Sequence, residues 1–104
     1  MTPRELAVKL QSSQPPRLLD VRQPEEHALV SLPNSTLIPL GELLSRVDEI
    51  ETWRDEEVVV YCHHGIRSAQ AVAQLRAMGF MNVENLSGGI DRWTDDVEPT
   101  LPRY

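Results

Sequence analysis

Val58-Val59-Val60-Tyr61 is an unbroken β-branched and aromatic run, the strongest strand signal in the chain. The loop Cys62-His63-His64-Gly65-Ile66-Arg67-Ser68 follows it at once. From Ser68 to Met78 the pattern turns helical, with Val72, Leu75 and Met78 on one face and Gly79 placed as a C-terminal cap. A strand running through a short loop into a helix is the opening of a βαβ unit. Ligands in open α/β sheets bind outside the carboxyl ends of strands, and Cys62 stands at such an end.

The rest of the chain repeats this alternation. Thr2-Pro3-Arg4-Glu5 reads as a capping box opening a helix that offers Leu6, Val8 and Leu10, and Gln-Ser-Ser-Gln-Pro-Pro breaks it near Pro15. Arg17 to Val21 is a short buried strand. Pro24 to Leu29 gives one or two helical turns, with Glu25 and Glu26 favourable in the first turn. Ser31 to Ser35 is a turn and Thr36 to Pro39 a second strand. Gly41 to Ile50 carries Leu43, Leu44, Val47 and Ile50 at helical spacing. Val83 to Leu86 is a fourth strand, and Gly88-Gly89 opens a last helix through Trp93. The tail from Val97 to Tyr104, with Pro99 and Pro102, is expected to run extended along the body. The fold class is therefore α/β, a mostly parallel central sheet with helices on both faces. At 104 residues the expected organisation is one domain, with 1–15 as N-terminal helix and linker.

The bulk numbers narrow the function. A net charge of −6 argues against nucleic-acid or anionic-membrane partners. No stretch reaches the 18 or so apolar residues of a membrane span, and the N-terminus lacks a signal-peptide core, so a cytoplasmic location is expected. A single cysteine gives no disulfide framework. The thiol is either a small buried hydrophobe or a reagent.

The loop argues for the reagent. A reactive cysteine works as thiolate and needs surroundings that favour negative charge. The N–H groups between Cys62 and Ser68 lead into a helix start, Gly65 allows them to curl toward one point, and Arg67 adds a permanent cation. Together they form a cup for an anion with sulfur at its floor. A buried structural cysteine has no need of a polar, cationic loop. His63 and His64 read equally well as solvated loop residues. Cys62, His63 and His64 do not make a metal site, because adjacent residues rarely converge on one ion; no metal or other cofactor is expected.

From about Pro16 to Tyr104 the chain resembles a single-domain rhodanese. The motifs are Leu18-Leu19-Asp20-Val21-Arg22-x-Pro24-Glu25-Glu26, Ile38-Pro39-Leu40, Val60-Tyr61-Cys62-His63-His64-Gly65-Ile66-Arg67-Ser68, Gly79-Phe80-x-Asn82-Val83 and Leu86-x-Gly88-Gly89-Ile90-x-x-Trp93. The resemblance implies a sulfurtransferase that takes a sulfane sulfur from a donor such as thiosulfate. Cys62 would hold it as a persulfide and pass it to cyanide, a thiol or an acceptor protein. His63 through Ser68 would form the substrate cradle, with Arg67 favouring an anionic donor. Asp20 and Arg22 become supporting or structural charges, and Trp93 packs the last helix near the site.

One segment departs from the family. Where it often shows Gly-His-Ile-Pro-Gly-Ala, this chain reads Val30-Ser31-Leu32-Pro33-Asn34-Ser35, without the glycines and the histidine. Cysteine phosphatases that share the fold place five residues between cysteine and arginine. Here Cys62 and Arg67 enclose four, a ring better sized for one sulfur than for a phosphoryl group. A non-catalytic binding module, or an oxidant sensor using an exposed Cys62, is the alternative from another class.

Overall fold

Four short parallel strands organise the chain: β1 (Arg17–Asp20), β2 (Thr36–Leu37), β3 (Glu57–Tyr61) and β4 (Asn82–Asn85), in the order β2-β1-β3-β4. The computed structural model describes residues 1–104. Five α-helices precede, connect and follow the strands: α1 (Pro3–Leu10), α2 (Pro24–Leu29), α3 (Leu43–Arg46), α4 (Ile66–Ala77) and α5 (Gly89–Asp96). The sheet is wholly parallel, and its register sets Leu19 opposite Val60 and Val60 opposite Asn85.

Strand alternation divides the core in two. Leu19, Val58, Val60 and Cys62 face one way, into a cluster with Leu43, Ile50, Ala71, Val72, Leu75, Phe80 and Val83. Leu18, Val59 and Tyr61 face the other way, toward Leu6, Leu32, Leu86, Ile90 and Trp93. Helices thus cover both faces, and the parity of β3 sends the Cys62 side chain to the face that carries α4. No helix is long and apolar enough to cross a membrane.

Local chemistry accounts for most element boundaries. Thr2 Oγ1 accepts from the Glu5 N–H at 3.2 Å while Glu5 Oε1 accepts from the Thr2 N–H at 3.0 Å, so the expected capping box starts α1. Helix α4 begins two residues earlier than the side-chain pattern indicates, because Gly65 at φ 105° acts as its N-cap. The segment expected as one helix over 41–50 is broken. A 3₁₀ turn at Leu40–Glu42 precedes α3, and a 3₁₀ stretch at Val47–Trp53 follows it, with Ile50 at a non-helical φ of −118°. That break lets Leu43, Ile50 and Trp53 all reach the core, while Leu44 is left exposed. Val8 also faces solvent, since one α1 face suffices to bury Leu6. Thr36 and Leu37 pair with β1, and the Ile38 and Leu40 N–H groups still donate to the Asp20 and Val21 carbonyls, so Pro39, with no N–H, occupies an edge-strand position that makes no ladder bond.

The unusual turn at 30–35 keeps a tight geometry by other means. Asn34 takes φ 63°, a conformation asparagine tolerates better than most residues. The Leu32 N–H donates to Tyr61 Oη at 3.1 Å, and Ser35 Oγ lies 2.9 Å from the same hydroxyl.

The sharpest steric demand lies where α5 meets the cysteine loop. Gly89 has φ 64°, and a Cβ there would fall 2.3 Å from the His63 carbonyl oxygen and 2.5 Å from that of Cys62. Both obstacles are backbone, which cannot swing aside. Gly89→Ala should cost about 3 kcal/mol in urea unfolding, from left-handed strain plus overpacking. An unchanged midpoint would mean that the helix start does not press on the loop.

Candidate active site

The loop after β3 is held from outside by α5. The Ile90 N–H donates to the Cys62 carbonyl at 2.9 Å and the Asp91 N–H to the His63 carbonyl at 3.1 Å. These donors belong to the first turn of α5 and have no acceptor within the helix. With the loop carbonyls drawn outward, its N–H groups turn inward. The Gly65 N–H reaches Cys62 Sγ at 3.1 Å, the Ser68 N–H reaches it at 3.4 Å, and Ser68 Oγ lies 3.3 Å away. The left-handed Gly65 and the start of α4 place these groups around the sulfur.

Cys62 is 1% exposed. Burial alone pushes its thiol up; hydrogen bonding at Ser68 and to the Gly65 N–H, with the Arg67 charge, pulls it down, and the net direction is down. The most weakly acting of these is Arg67, for a visible reason. Its guanidinium makes a two-pronged pair with Glu26 of α2, Nη1 to Oε1 at 2.6 Å and Nη2 to Oε2 at 3.0 Å. That pair, with help from the Gln23 N–H and the Tyr104 hydroxyl, holds the Glu26 carboxyl down to about 2 despite partial burial.

His63 and His64 stand at the rim rather than on the sulfur. The His63 ring stacks on Tyr104 at 4.0 Å and meets His64 at 4.0 Å on another side. Asp91 lies 4.0 Å from His63 and 3.7 Å from His64. Burial, then the neighbouring His64, push the His63 imidazole down, toward the neutral form. Ile66 is exposed on the outer side of the loop and Ser68 is fully buried beneath it.

Asp20 and Arg22 form a completely buried pair beside the loop. Asp20 Oδ1 accepts from the Arg22 N–H at 3.0 Å and from Nε at 2.9 Å, and Oδ2 accepts from Nη2 at 2.8 Å. Arg22 also donates to the Val30 carbonyl at 2.6 Å and to Tyr104 Oη at 2.9 Å. His27 Nδ1 is 2.8 Å from Asp20 Oδ2, so the third histidine serves this pair and not the sulfur.

Three residues of the site do not stand out in the sequence. Glu26 reads there only as a charge suited to a helix start, because its partner lies 41 positions away. Tyr104 closes on Arg22 from 82 positions away, and no local pattern announces it. Asn85 bonds Ser68 and Gly65, and a signal for it did exist. Two residues after the inward-facing Val83, strand alternation puts it on the cysteine's face.

The largest cleft, about 1250 Å³, opens at the opposite end of the sheet between Leu10, Pro16, Arg17, Trp53 and Trp93. It is not lined by Cys62, so this cleft is separate from the cysteine loop.

The architecture is shared with known proteins. A rhodanese-related protein from Thermoplasma volcanium superposes with a TM-score of 0.83 at 34% identity, covering 95% of this chain and 93% of its own. The human single-domain sulfurtransferase TSTD1 superposes at 0.82 with 28% identity, covering 92% and 95%. A probable adenylyltransferase/sulfurtransferase, MoeZ, of Mycobacterium tuberculosis is 36% identical over 104 residues. That match takes in all of this chain and 26% of the relative, so the chain spans about a quarter of the length of such curated relatives. The family model for the rhodanese-like domain matches residues 2–96, and the chain belongs to that family.

Proposed function

We propose that the protein is a sulfurtransferase that carries sulfane sulfur as a persulfide on Cys62. The observation that carries this reading is the convergence of the Gly65 N–H and the Ser68 N–H on one sulfur. Such donors favour an anion and give nothing to an inert core thiol. The kinship with a sulfurtransferase of the same single-domain length supports it.

In the first half-reaction the Cys62 thiolate attacks the outer sulfur of a donor such as thiosulfate. A new S–S bond forms, the donor's own S–S bond breaks, and sulfite leaves with the electron pair. In the second, cyanide, a thiol or an acceptor protein attacks the terminal sulfur. The persulfide S–S bond breaks, and Cys62 regains the pair as thiolate. The cycle is ping-pong and needs no cofactor. A single thiol cannot resolve the persulfide into an internal disulfide, so an external acceptor must end each turnover. A cytoplasmic setting suits such a thiol.

Thiosulfate alone should add the mass of one sulfur to the intact protein, and cyanide should remove it. Cys62→Ser should stay folded, gain no mass and not turn over. A serine variant that still transfers sulfur would sink the mechanism.

Arg67 meets an anionic donor already occupied by Glu26. Glu26→Gln keeps the shape and releases the cation, so the KM for thiosulfate should fall about twofold to fivefold, the worth of one half-exposed charge pair. Arg67→Ala should raise that KM and leave an uncharged persulfide donor less affected. Equal changes for both donors would mean that the guanidinium shapes the loop and does not recognise charge.

A further inference from the structure

Asn85, at the end of β4, makes two side-chain hydrogen bonds under the cysteine loop. Its Nδ2 donates to the Gly65 carbonyl at 3.1 Å, and its Oδ1 lies 2.5 Å from Ser68 Oγ. The amide has only one sensible orientation. A backbone carbonyl can only accept, so Nδ2 must face Gly65 and Oδ1 must face Ser68. Oδ1 is itself only an acceptor, so the hydroxyl must donate to it. Ser68 has one proton to give, and it points away from the sulfur 3.3 Å off.

This arrangement suits a neutral sulfur. A Cys62 thiol donates its S–H to Ser68 Oγ while Ser68 donates to Asn85, and every proton has an acceptor. A thiolate can only accept. Either Ser68 keeps its bond to Asn85 and turns lone pairs toward the charge, or it swings to the sulfur and leaves Oδ1 without its donor. Ser68 is wholly buried and Asn85 half-buried, so the exchange gives up a direct hydrogen bond. A persulfide escapes the conflict. Its inner sulfur is divalent and neutral, and its charge sits on the outer sulfur, one bond farther from Ser68.

We propose that Asn85 is a positioning residue for Cys62: by holding the Ser68 hydroxyl proton it disfavours the bare thiolate and favours the sulfur-loaded state. The residue acts through Ser68 and touches no substrate. The consequence for the loaded state rests on the sulfur-transfer reading; the effect on the empty thiol does not. The charged groups around the loop are Arg67 with Glu26, the Asp20–Arg22 pair, and His63 and His64 with Asp91. The Met1 amino group binds the Asn85 backbone carbonyl. None of these is altered by changing the Asn85 side chain.

The test is the pH titration of the unloaded thiol by thiolate ultraviolet absorbance. The chain has one cysteine, and both tyrosines are pushed up to about 12, so the transition is readable. Asn85→Leu removes both amide bonds and keeps the branching at Cγ, and Gly65 O retains the Ala69 N–H at 3.2 Å. The midpoint should fall by roughly half to one pH unit, because Ser68 becomes free to donate to sulfur. In a Ser68→Ala background the same substitution should not lower it. A purely structural role predicts the opposite sign, since a slackened loop withdraws the Gly65 N–H and raises the midpoint. A rise, no change, or an equal fall without Ser68 overturns the proposal. Asn85→Ala, with the same expected outcomes, replaces the leucine variant if that fails to fold. Sulfur loading plays no part in the measurement, so a failure here and a failure to form the persulfide are separate results.

Discussion

The two hydrogen bonds from the first turn of α5 to the carbonyls of Cys62 and His63 are the constraint on which the rest of the site depends. A helix start has N–H groups without partners, and a strand end has carbonyls without partners. Here each satisfies the other. The pairing fixes which way the loop peptides point, and the inward N–H groups at the sulfur follow from it. It also explains the Gly88-Gly89 pair, because the two backbones approach so closely that a Cβ at Gly89 would strike both carbonyls.

A second anchor comes from β1. Asp20 and Arg22 are buried together, and removal of either would strand the other charge at a cost of about 3–5 kcal/mol. Arg22 spans three parts of the chain: it fixes β1, the carbonyl at the end of α2, and Tyr104. Tyr104 in turn donates to Glu26 at 2.8 Å, and Glu26 holds Arg67. One connected polar network therefore runs from the tail to the cysteine loop. The low acidity of the Tyr104 phenol keeps it a donor across the working pH range.

How much of this the sequence discloses depends on the range of each interaction. The strand Val58–Tyr61, the capping box at Thr2 and the polar loop around Cys62 are decided by neighbours along the chain, and the pattern of residue types reports them faithfully. The segment 41–53 is decided by the core. Leu43, Ile50 and Trp53 all require burial, no single straight helix satisfies them, and the helix yields at Ile50. The direction of Arg67 belongs to the same class. A cation beside a reactive cysteine invites assignment to the anion, yet Glu26 on another helix claims it first. Local chemistry states what a side chain is able to do, and long-range packing selects which partner receives it.

That selection gives the site its character. A strong nucleophile calls for a stable thiolate, whereas a carrier calls for a loaded form that outlasts the empty one. Full deployment of Arg67 and the Ser68 hydroxyl on the sulfur would serve the nucleophile. Instead Glu26 takes the guanidinium and Asn85 takes the hydroxyl proton, and only the two backbone N–H groups remain committed to the sulfur. The thiol is eased toward ionisation without being trapped there. For the proposed persulfide chemistry that restraint matters, because a thiolate held too firmly would resist becoming the neutral inner sulfur of a persulfide.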